Sequence, residues 1–209
     1  MVQAGTFDPY PVDVSVDYAD GARNRLTVGL RIFTVLPILV VLSLLSGGQL
    51  GHGYSWGFGA GGVLFLPTLV MLLFRRKYPG WWFDWNLNLV RLSNRVLAYF
   101  LILRDEYPST DEEQAVHVVL PDPRGGGDLN RWLPLIKWFL AIPHYLVLTI
   151  LYIGGLAVSV VGWFAVLITG RYPRSFHDFV VGLMRWTLRV QAYSVVLVTD
   201  RYPPFQLSA

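Results

Sequence analysis

The sequence contains no cysteine. Disulfides, thiolate metal sites, cysteine nucleophiles and lipid-modified cysteines are thereby excluded. Charge is scarce too: Asp, Glu, Lys and Arg make up 15% of the 209 residues, where a soluble domain carries about 25%. Hydrophobic residues reach 54% and the mean hydropathy is +0.44. So little polar side chain cannot coat a soluble protein of this length, so lipid must cover part of the chain. The net charge of +3 gives no concentrated basic patch, and no nucleic-acid partner is expected. No Asp or Glu lies inside the apolar stretches, which argues against proton- or cation-coupled transport. Phosphate-loop, nucleophile-elbow, zinc and dinucleotide spacings are missing. No enzyme activity, cofactor or metal is expected. No Lys or Arg precedes Arg23, and no short apolar run with a small-residue cleavage site follows the start. The first apolar segment therefore reads as a retained anchor rather than a signal peptide.

What the chain does have is internal similarity. Tyr-Pro occurs at residues 10, 78, 107, 172 and 202. Aligning the stretch from Tyr78 with the stretch from Tyr172 places Asp84 on Asp178, Arg91 on Arg185, Arg95 on Arg189 and Tyr99 on Tyr193. One further residue in the second stretch brings Asp105 onto Asp200. Upstream, in a second register, Arg25 falls on Arg131, Arg31 on Lys137 and Pro37 on Pro143. The change of register is an insertion between Gly47 and Gly62. Two units follow, 10–109 and 114–205.

Each unit opens with an alternating segment, Val12–Val16 or Val116–Leu120, which favours a short strand. A polar turn leads into an apolar stretch of membrane length, Leu26–Leu45 or Trp132–Ile153, and about 20 residues cross a bilayer core. Shorter return segments, Val63–Phe74 and Leu156–Thr169, complete hairpins over about 26–74 and 132–169. Amphipathic interfacial helices follow over about 81–96 and 175–190. Closing β-rich runs, Val96–Leu103 and Val190–Thr199, are expected to pair with the opening strands. The fold expected is thus membrane all-α with minor β, in two pseudo-repeated units with four membrane segments. The hairpin tips, Gly47–Gly62 and Gly154–Gly155, carry no Lys or Arg. The positive-inside bias then predicts a multi-pass protein of the cell (inner) membrane with both termini cytoplasmic.

Candidate contacts with anionic headgroups or a partner are Asp84, Asn88, Arg91 and Arg95, spaced to share one helix face. Asp178, Arg185 and Arg189 repeat the pattern, with Gly182 in place of Asn88. Basic amphipathic helices with Trp lie in membrane interfaces, although such arginines equally pair with acids of the same protein or cap carbonyls. Arg31, Lys137 and His144 are the candidate intramembrane polar residues. Snorkelling is the bland account of the first two, and a hydrogen-bonded core histidine that of the third. The Gly-rich runs at 47–62 and 124–128 read as loop and linker.

A family resemblance rests on Arg171-Tyr-Pro-Arg174, Asp178, Arg185-Trp186, Arg189-Val-Gln-Ala-Tyr193 and Thr199-Asp-Arg-Tyr-Pro-Pro-Phe205, with Ala141-Ile-Pro-His144 beside them. This stretch, about 128–205, resembles an actinobacterial membrane family catalogued as domain of unknown function 4389. The first unit is similar but diverged, as a tandem copy would be, with Gly-Trp-Trp for Arg-Ser-Phe and Leu97 for Gln191. The resemblance implies no activity. The expected function is a non-enzymatic accessory or scaffold subunit of a membrane complex, with lipids and another membrane protein, or a second copy, as partners. The alternatives are a lipid or apolar-ligand binding module, and a transporter or channel component.

Overall fold

The computed structural model describes residues 9–46 and 62–208. The expected tip at Gly47–Gly62 lies almost wholly outside the described residues. The chain is mostly helical with a sheet of two strands. The strands are β1, Asp13–Val16, and β2, Val116–Val119. They pair antiparallel, with Asp13 opposite Val119 and Val16 opposite Val116. Val12, Val14, Val16, Val116 and Val118 are all buried, the one-sided burial that alternation specifies.

The first apolar stretch is helical in pieces: α1, Arg25–Gly29; α2, Arg31–Thr34; α3, Leu36–Leu45. Asn24 caps α1 by accepting from the Leu26 and Thr27 amides. Proline in the first turn of α3 removes a backbone donor just where the helix restarts. Beyond the undescribed stretch come α4, Gly62–Val70, and one π turn, Met71–Arg75, ended by Arg76 in the left-handed region. After β2 come α6, Pro134–Leu140, and α7, Ile142–Thr169. Two amphipathic helices of 21 residues each follow Tyr-Pro pairs: α5, Gly80–Phe100, and α8, Arg174–Ser194.

Several expectations need correction. The second unit has no hairpin at Gly154–Gly155, because α7 runs through both glycines for 28 residues. A glycine inside a helix costs only about 1 kcal/mol. Here the missing side chains are a packing notch: a Cβ at Gly155 would fall 2.7 Å from Leu183 Cδ2, and one at Gly162 2.5 Å from Tyr172 Cε2. Among the described residues, α7 alone is long and apolar enough to cross a membrane, by length and composition, so the expected four spans reduce to one candidate. Only 22% of its most apolar window is buried, which sets it apart from the core helix of a soluble protein.

The closing β-rich runs are not strands. Helices α5 and α8 continue to Phe100 and Ser194 and then leave through Ile102 and Leu197, both at positive φ (62° and 60°). The Leu103 amide returns to Ala98 O at 2.9 Å and the Val198 amide to Ala192 O at 3.1 Å. These closures satisfy carbonyls at the helix ends, at a cost of about 1–2 kcal/mol for each non-glycine left-handed residue. In a buried helix most positions are apolar, so the run imitates strand alternation.

Each amphipathic helix buries one face against the rest of the chain. Helix α8 is packed along α7, antiparallel, and also against β1; α5 lies against α3 and β2. The largest core joins the strand valines to α5, α8 and the end of α7. Smaller cores join α3 to α5 through Val35, Ile38, Leu92 and Val96, and α7 to α8 through Ala141, Leu148, Trp186 and Val190.

The notch at Gly162 has a direct test. Gly162→Val should lower stability by about 2 kcal/mol through overpacking against Tyr172, read as a fall in the thermal unfolding midpoint in detergent micelles. Gly154→Ala, whose Cβ would meet only Phe179 at 3.9 Å, should leave the midpoint unchanged or raise it.

Candidate functional site

The two cations at matching sequence positions become two buried anchors. Arg31, on α2, places Nη2 at 2.6 Å from Asp105 Oδ1 and donates from Nη1 to the carbonyls of Tyr99 (3.0 Å) and Arg104 (3.1 Å). Its guanidinium sits 4.4 Å from the centre of the Tyr99 ring. Lys137, on α6, is fully buried, with Nζ at 2.6 Å from Asp200 Oδ1 and 2.7 Å from Thr199 O. It lies 5.1 Å from the Tyr193 ring centre. Burial pushes the Lys137 ammonium below the ordinary lysine range, and Asp200 acts in the opposite sense. In each case an apolar helical segment is tied to the chain leaving the next amphipathic helix.

The second arginine stripe is occupied from within. Arg185 Nε donates to Asp13 Oδ1 at 2.5 Å, and its Nη1 to Leu207 O at 3.0 Å. Arg189, only 1% exposed, donates to Val12 O at 3.3 Å and Ser208 O at 3.0 Å, with Asp13 3.8 Å away. These arginines fix β1 and the C-terminal residues onto α8. Asp178 is exposed and contacts His177 at 3.3 Å.

The first stripe is more open. Asp84 and Asn88 are exposed. Arg91 reaches Asn88 at 3.5 Å, and Arg95 donates to Ser109 O at 2.7 Å. Asn88, Arg91 and Arg95 line a polar groove of about 390 Å³ together with Asp111, Glu112 and Glu113. An anion entering it would meet three carboxylates of the same chain. Asp84 does not join this groove.

His144 is buried at the start of α7. Its Nδ1 accepts from Trp186 Nε1 at 3.1 Å, and its ring stacks on Phe205 at 3.9 Å. Tyr202 completes the aromatic cluster at 4.8 Å. Arg31, Lys137 and His144 are not brought together as one site. Among the described residues no group of three or more His, Asp or Glu could hold a metal.

A feature that the sequence did not mark is an apolar groove of about 400 Å³ between α2, the end of α5 and α7. Ile32, Phe100, Leu156, Val160, Trp163 and Phe164 form its walls, with Arg31 among them. Its residues lie as much as 133 positions apart in sequence, from Arg31 to Phe164, so no local spacing signals it.

Residues 132–206 match a family described as Domain of unknown function (DUF4389). The matched stretch runs from the start of the second apolar segment through α8 to the chain just beyond the aromatic cluster. It contains Lys137, His144, Arg185, Arg189 and Asp200, but neither Asp13 nor the first unit. No curated protein and no solved structure matches the chain.

The anchors predict an asymmetry. Asp200→Asn leaves a buried ammonium without its counter-charge and should destabilise the fold by about 3 kcal/mol. The double change Lys137→Met with Asp200→Leu should recover most of that loss. Thermal unfolding of the three proteins in one detergent checks both statements.

Proposed function

We propose that this protein is a non-enzymatic accessory or scaffold subunit of a membrane protein complex, built from two copies of one unit. Units 10–109 and 114–205 carry the same plan: a strand, apolar helical segments, a helix after Tyr-Pro and an exit at positive φ. The pairing Arg31–Asp105 has its counterpart in Lys137–Asp200. Helices α5 and α8 have equal length. Each strand packs on the helix of the other unit, β1 on α8 and β2 on α5. Such an exchange gives both units the same orientation, with the termini and the strands together on the cytoplasmic side.

The observation that carries the reading is the exposed apolar surface. Leu26, Phe33, Leu66, Phe74, Trp138, Ile150 and Ile168 are each more than half exposed, on α1, α2, α4, the π turn after it, α6 and α7. A soluble monomer does not ordinarily expose so many large apolar side chains to water. Lipid and a protein neighbour are the surfaces that fit it, whereas Arg185, Arg189 and the anchors are engaged inside the chain. Gentle solubilisation followed by affinity purification should recover a stable protein partner or a defined oligomer. A solitary monomer in several mild detergents would count against the scaffold reading.

The apolar groove favours a second reading, a module that binds one lipid chain. Val160→Trp narrows the groove and should reduce co-purified lipid at unchanged thermal midpoint. An unaltered lipid content would reject the groove as the site.

A further inference from the structure

A spanning orientation of α7 conflicts with its neighbour. Helix α8 runs antiparallel along α7 for nearly its whole length. Tyr145 Oη meets Ser194 Oγ at 2.8 Å, Tyr152 Oη meets Thr187 Oγ1 at 2.7 Å, Gly155 faces Leu183, and Gly162 faces Tyr172. Arg185 lies between Leu183 and Thr187, so the Arg185–Asp13 ion pair is level with the middle of α7. Asp13 is 37% exposed at its side chain. With α7 upright, this pair would sit at the bilayer midplane, where charge is expensive. The ribbon face bearing Asp13 and the exposed His117 would lie in hydrocarbon with it.

Laid flat, the same helix has no such conflict. His144, Leu148, Gly155, Gly162 and Val166 are its buried residues. Leu146, Ile150, Ile153, Val160, Phe164 and Ile168 are exposed, and at 100° per residue they form one stripe on the opposite side. That stripe runs along a helix about 42 Å long, at 1.5 Å for each of 28 residues. Exposed basic residues gather where the apolar helices end: Arg25 beside Gly170, Arg171 and Arg174 just beyond α7, and Arg75 to Lys77 at the end of α4. Exposed Trp81 and Trp132 stand beside these ends, as in the aromatic belts of membrane interfaces.

We propose that the protein occupies one leaflet only: α7 is immersed parallel to the membrane plane, its stripe in the acyl chains of an anionic phospholipid leaflet, with the basic residues at the helix ends against the headgroups. This rests on the membrane residence proposed above and replaces the crossing segments by in-plane ones. Helix α8 then lies above α7 and the strand ribbon faces the aqueous side.

Because the chain has no cysteine, single cysteines can be placed at Leu146, Ile150, Ile153, Val160, Phe164 and Ile168, all exposed. Each variant is nitroxide-labelled and reconstituted into vesicles of phosphatidylethanolamine and phosphatidylglycerol. Depth is read from the relative accessibility to oxygen and to a water-soluble nickel complex. The proposal expects the six depths to agree within a few Å, about the spread of side chains on one helix face. A depth that rises to a maximum near residue 157 and falls toward both ends overturns it. Spin–spin broadening at all six positions, lost on dilution with unlabelled protein, also overturns it, since a second copy would then cover the stripe. Protein that fails to float with the vesicles overturns membrane residence itself, a result distinct from the other two.

Discussion

Helix α8 has to satisfy two unlike neighbours at once. Leu183, Trp186 and Val190 pack on the second apolar segment, while Arg185 and Arg189 hold β1 through Asp13 and the Val12 carbonyl. A guanidinium withdrawn from water is tolerable only when its donors are taken up. Arg189 therefore dictates that β1 lie where it does, and β1 in turn fixes β2 by the ladder and α5 beneath β2. The rest of the arrangement follows from that one constraint. The two ion-pair anchors then close each apolar segment onto the chain leaving α5 or α8.

Much of this was legible in the residues. The Tyr-Pro pairs marked the starts of α5 and α8 to within a residue, since proline before a first turn both sets φ and stops what precedes it. Alternating valines gave both strands. Arg31 and Lys137 stood out as matching cations. Asp105 and Asp200 stood out as matching acids too, but not as the partners of those cations, because they lie 74 and 63 positions away and no periodicity links acid to cation. Asp13, 172 residues from Arg185, was invisible for the same reason.

The misreadings share a cause. Gly154 and Gly155 resemble a turn when only the chain itself is considered, and become a contact surface once Leu183 is set against them. The apolar run after Arg95 resembles a strand because a helix buried on most sides loses its polar face. The four spans were inferred from hydropathy alone. Hydropathy counts apolar residues along the chain and does not see which charged residues stand beside them in space.

The crossed packing of the strands has a consequence for how the chain comes into being. The valines of β1 are made some 160 residues before their cover, α8. The sheet partner β2 is made earlier, but until α8 follows the nascent chain has no lid for those valines. Its early apolar helices must be sheltered by a membrane or a chaperone while translation proceeds. Separate expression of the two halves would therefore yield incomplete pieces, and translation must pass α8 before the core can close.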